Sequence, residues 1–168
     1  GNYQKAVPHF QKALAIDPNK AEAHFYLGLA YGALGKHPEK IREYHESLRL
    51  NPNMAMAHFK LGLASAATEQ HQDAILHYKE SIRINNSYPD AHYFLALSYF
   101  LSKRYKEMSD PLQAAIALDP ENGKHFYLLG LSYLKLGRYQ AAIAPLRKAS
   151  NLNSVTNEAQ SISKVTLK

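Results

Sequence analysis

The chain has 168 residues, a formal net charge of +6 and no cysteine. Disulfide frameworks and thiol chemistry are therefore excluded, and no apolar run approaches the ~20 residues that cross a bilayer. Lysine and arginine are interleaved with acids, as in Glu39-Lys40-Ile41-Arg42-Glu43, which suits a solvated helix surface and not a nucleic-acid-binding stripe.

Residues 1–20 read as one amphipathic helix with an apolar stripe of Val7, Phe10 and Leu14. Its Gly1, Tyr3, Ala13 and Pro18 recur downstream at Gly137, Tyr139, Ala149 and Pro52. The segment is read as the second helix of a truncated repeat, with a first helix expected upstream.

Residues 21–54 read as two helices joined by a tight turn. Phe25, Leu27, Leu29, Ala30, Tyr31 and Leu34 make the first apolar nearly all round, so it needs cover on more than one face. Gly28 is expected to let the second helix approach closely, at an intrinsic cost of ~1 kcal/mol relative to alanine. Gly35 reads as a C-terminal cap. Pro38 suits the first turn of the next helix, and Pro52 ends it by restricting Asn51.

The pattern returns over 55–88, 89–122 and 123–156. Ala96 replaces the glycine in the third copy, and Met108 replaces the small residue found at Ala74 and Ala142; Lys40 holds that place in the first. Lys40 and Met108 are expected to loosen the packing where their stems bend around the neighbour. Pro8, Pro111 and Pro145 fall inside second helices and are expected to bend them. Residues 157–168 read as a capping helix or the stub of a further repeat.

Leu27, Leu61, Leu95 and Leu129 are evenly spaced, as are Gly28, Gly62, Ala96 and Gly130, and Leu29, Leu63, Leu97 and Leu131. The interval is ~34 residues, and on these residues the chain resembles the tetratricopeptide repeat family. The resemblance implies an all-α, right-handed superhelical solenoid of antiparallel helix pairs, with the core between stacked neighbours. It departs from the family at Ser65, where tyrosine is usual, and at Asn86, where proline is usual.

The resemblance also implies that the first helices line a concave groove. Its expected lining is Phe25, Phe59, Tyr93 and Tyr127 as an aromatic ladder, Leu29, Leu63, Leu97 and Leu131 as a leucine ladder, and Phe100 with Leu101 as a further pocket. Such a surface suits an apolar helix or extended peptide of a partner protein, with side chains at i, i+3/i+4 and i+7 between the rungs. The expected function is a non-catalytic scaffold or adaptor, read as cytoplasmic. Two alternatives stand beside it: a self-assembling homo-oligomer, as in bacterial organelle-associated members of the family, and the substrate-selecting arm of a larger enzyme. The carboxylate clamp of the chaperone-binding members is not expected, because its Lys and Asn positions are aromatic and leucine here.

His24, His58 and His92 also stand one repeat apart, on helices spaced by ~10 Å. They cannot meet on one zinc ion, whose ligands lie ~2 Å away, and are expected to pack as half-buried rings. No spacing joins a nucleophile, a base and an orienting group, and no phosphate loop or metal-binding helix motif occurs. No catalysis, cofactor, metal, nucleic acid or membrane span is expected.

Overall fold

The structure, a computed structural model, describes residues 2–152. The tail reading of 157–168 lies outside those residues. Among the described residues there are nine α-helices and one 3-10 turn. After α1 (Tyr3–Ile16) the helices form pairs: α2 (Ala21–Ala33) with α3 (His37–Leu50), α4 (Ala55–Ala67) with α5 (His71–Ile84), α6 (Pro89–Leu101) with α7 (Ser109–Leu118), and α8 (Gly123–Lys135) with α9 (Tyr139–Asn151). Each helix packs on its neighbours in the chain, and α6 also touches α4 and α8. This is an all-α solenoid.

Helices of 13 or 14 residues are marginal alone in water, so packing must hold them. The first helix of each pair supplies most of it. In α4, Ala57, Phe59, Leu61, Gly62 and Ala64 are all buried, covering most of the circumference, as the all-round apolar pattern required. Second helices bury a narrower stripe, Ala74, Ile75, Tyr78 and Ser81 in α5.

Glycine sets the distance within a pair. A Cβ on Gly28 would stand 2.7 Å from the Tyr44 ring, and one on Gly130 2.5 Å from Leu146 Cγ. The close approach expected at Gly28 is thus present. In the third pair Ala96 and Leu112 take these two places, both fully buried.

The turn inside each pair is one motif. The N–H of Lys36 donates to the Tyr31 carbonyl (2.9 Å), Gln70 to Ser65 (2.9 Å), Arg104 to Tyr99 (2.8 Å) and Arg138 to Tyr133 (2.9 Å). This closing bond requires the preceding residue to be left-handed. Gly35 (φ +73°) and Gly137 (φ +71°) meet the requirement, while Glu69 and Lys103 adopt φ 60° without being glycine.

Two expectations about second helices are corrected. Met108 does not loosen its contact: it is fully buried in the core beside Leu112, and the chain accommodates it by winding Tyr105–Met108 as a 3-10 turn before α7. The α-helix therefore starts at Ser109, and Pro111 lies in its first turn, where the missing N–H has no intrahelical partner to lose. Pro8 and Pro145 do lie inside α1 and α9. Lys40 keeps its backbone close to α2, its carbonyl 3.2 Å from a Cβ on Gly28, and its stem lies over Gly32.

The three repeated histidines pin the loops between pairs. Nε2 of His24, His58 and His92 lies 3.2, 3.2 and 2.9 Å from the carbonyl oxygens of Pro18, Pro52 and Asn86. A carbonyl only accepts, so each Nε2 carries a proton. The rings are partly to fully buried structural elements of the loop and helix start.

Candidate functional site

The leucine ladder occupies one position on each of α2, α4, α6 and α8. Leu29, Leu63, Leu97 and Leu131 are all half-buried; the first packs on the core around Tyr44, and the next two on the larger core around Tyr78. Each leaves part of its side chain accessible. Met56, 41% exposed, and Leu101, 50% exposed, add apolar surface on α4 and α6.

The aromatic ladder divides. Tyr93 and Tyr127 are half-buried, but Phe25 and Phe59 are only 7% and 3% exposed. Phe25 packs on Tyr44 with ring centroids 5.8 Å apart. Phe59 is enclosed by Tyr78, Tyr88 and Phe94 at 5.8, 4.8 and 5.8 Å. These two phenylalanines are core side chains that support the face; their rings are not presented to a ligand. The next pair brings this about, since α6 lays Phe94 over Phe59. Tyr93 packs its ring on His125 at 5.5 Å, and burial pushes its phenol upward, which keeps it neutral. Phe100 is half-buried and meets Tyr105 edge-on at 5.6 Å.

Most charges on these helices lie towards their ends; the exception is Lys60, half-buried midway along α4 with its Nζ 5.7 Å from the Phe59 ring centre. Glu22, Asp90 and Lys124 are exposed near the starts of α2, α6 and α8, and Lys135 ends α8. One accessible residue was absent from the expected lining: Tyr26, which is 50% exposed and stacks on Phe10 of α1 at 5.9 Å. Its apolar character at the repeat's sixth position was the available signal. Among the described residues no group of three or more His, Asp or Glu side chains could hold a metal ion, and no helix is long and apolar enough to cross a membrane.

Three family models match the chain: one described as TPR repeat over residues 1–35, one as tetratricopeptide repeat over 41–89, and one as anaphase-promoting complex, cyclosome, subunit 3 over 70–149. Together they run along most of the sequence. The chain belongs to the tetratricopeptide repeat family.

Solved structures of tetratricopeptide repeat proteins superpose on it closely. A crystal structure of MamA is 26% identical, covers 90% of this chain and 89% of its own, and has a TM-score of 0.83. MamA residues 41 to the end from Desulfovibrio magneticus RS-1 are 22% identical over 94% of this chain and 89% of that one, with a TM-score of 0.82. YrrB, described as a TPR protein with an unusual peptide-binding site, is 17% identical over 94% of this chain and 81% of its own, with a TM-score of 0.85. The last two likenesses show the fold alone. No curated protein matches the sequence.

Proposed function

We propose that this tetratricopeptide repeat protein is a protein-interaction scaffold that holds an apolar helix or extended segment of a partner along α2, α4, α6 and α8. The observation that carries the reading is the row Leu29, Leu63, Leu97 and Leu131, each half-buried on successive first helices. Packed helices lie 8–10 Å apart. Side chains at i and i+7 of a bound helix are separated by about 10.5 Å along its axis, so they fall between neighbouring rungs. Tyr93 and Tyr127 flank the row, Phe100 and Leu101 extend it, and Phe25 and Phe59 lie beneath it as support. The burial of those two rings moves the binding role to the leucines and tyrosines. The role needs shape and apolar contact only, so no catalytic residue is assigned.

Selection of peptides from a random displayed library on the intact chain tests this. Expected are sequences with apolar residues at i, i+3/i+4 and i+7, whose capture is lost in the double variant Leu63→Lys, Leu97→Lys while helicity by circular dichroism is retained. Selected peptides without that spacing, or equal capture by the double variant, would overturn the proposal. Light scattering across a concentration series separates the rival occupant: a mass that climbs with concentration and returns to monomer in the double variant assigns the groove to a second copy of the chain.

A further inference from the structure

The tyrosine position at the eleventh place of the repeat is filled by Tyr31, Tyr99 and Tyr133, but by Ser65 in the second pair. In the other repeats its ring is held in a fixed setting. Tyr31 Oη accepts from Gln11 Nε2 of the preceding second helix at 3.1 Å, and Lys36 Nζ lies 5.7 Å from its ring centre. Tyr99 has Lys79 and Arg104 at 5.8 and 4.8 Å, and Tyr133 has Arg138 at 5.8 Å. One repeat separates Gln11, His45 and Lys79, and one repeat separates Lys36, Gln70, Arg104 and Arg138. The second pair therefore lacks the ring and the cation over it together.

What stands in their place is a cleft of about 410 Å³ bordered by Ser65, within the range of ligand pockets. Leu61 and Ala64 of α4 and Ile41 of α3 supply its apolar wall, and Leu76, 63% exposed, stands at its mouth. His45, Gln70, Asp73 and His77 give it a polar rim. His45 occupies the place from which Gln11 reaches the Tyr31 hydroxyl. None of the leucine-row residues lines it.

We propose that this cleft receives an aromatic side chain of a partner protein, a neutral tyrosine ring by preference. Three of the four pairs carry a tyrosine ring at this place on the first helix, and in the first pair its hydroxyl meets Gln11 of the preceding second helix. Gln70 in place of a cation, with Asp73 beside it, favours an uncharged ring over a phosphorylated one. The site is separate from the leucine row, so partner recognition gains a second, sequence-reading contact.

The test uses p-cresol, the free tyrosine side chain, titrated into the intact 15N-labelled chain and followed by amide chemical shifts. Expected are saturable shifts confined to Ala64, Ser65, Thr68, Gln70 and His77. They are abolished by Ser65→Tyr, which fills the cleft from within and raises the denaturation midpoint. Leu76→Asp, at an exposed position, keeps the fold and weakens the titration roughly fivefold by removing apolar contact at the mouth; it serves alone if Ser65→Tyr does not fold. Absence of saturable shifts, shifts centred on Leu63 and Leu97, or an unchanged titration in the folded variants would overturn the assignment. Absent shifts or an unchanged titration would leave peptide capture by the leucine row untouched.

Discussion

A Cβ built on Gly62 stands 2.6 Å from Cε1 of Tyr78, and the Tyr78 ring is wholly buried. The contact holds α4 and α5 closer than any residue with a side chain would permit. The ring cannot step aside, because Phe59 lies 5.8 Å from it on one side and Phe94 6.1 Å on another.

Gly62→Leu should therefore lower stability by about 1–3 kcal/mol through overpacking, in spite of leucine's better helix propensity. Urea denaturation read by circular dichroism measures it. An unchanged midpoint would show that Tyr78 yields its place at no cost.

Replacing the two non-glycine left-handed residues should act in the opposite direction. Glu69 and Lys103 hold φ 60° at the place where Gly35 and Gly137 sit without strain. Glu69→Gly and Lys103→Gly are each expected to stabilise by about 0.5–1 kcal/mol, relief of the left-handed conformation outweighing glycine's greater freedom in the unfolded chain. The two sites lie in different repeats and share no hydrogen-bond partner, so the double variant should show the sum. Lower thermal midpoints in both single variants would contradict this account.

Acid should weaken the second pair through His77. Its Nδ1 faces Nδ1 of His58 at 3.3 Å, and since His58 Nε2 donates to Pro52, His77 must donate across that gap when both rings are neutral. Burial holds His77 below the usual histidine range, His58 and His45 lower it further, and Asp73 opposes them. With the folded value depressed, the unfolded chain binds protons more readily. Stability is then full above the unfolded value of ~6.5 and is lost as pH falls through the folded one. In the first pair the equivalent of His77 is Glu43, whose Oε2 lies 2.7 Å from His24 Nδ1. His77→Glu should make the second pair match it and flatten the decline in urea midpoint between pH ~7.5 and ~5. An equal decline in the variant would locate the acid sensitivity elsewhere, for example at His125, which burial also lowers.

The repeat period, the helix pairing and the glycine contacts were legible in the sequence because they are local or strictly periodic; the recurrence of His24, His58 and His92 was legible too, but not their bonds to the loop carbonyls. An apolar residue every repeat, and a glycine or a proline just past a helix end, act within a few residues of chain. The tilt of Ala21–Leu34 towards an all-round apolar helix already required cover on several sides, and α2 received it from α1 and α3.

Which apolar residue stays accessible was decided only by the tertiary structure. Periodicity gives Phe59 and Leu63 the same standing, yet Phe94 of the next pair closes over the first and leaves the second half-buried. The same holds for Met108 and Pro111. Their side chains signalled a loose or bent helix, but the helix could instead change its winding and restart at Ser109. The opening beside Ser65 likewise depends on residues of α3, α4 and α5 meeting in space. The sequence by itself determined the unit and its repetition, since these rest on propensity and short-range pattern. The surface left uncovered depends on how neighbouring units press together, and that is settled only when large side chains from different repeats compete for one volume.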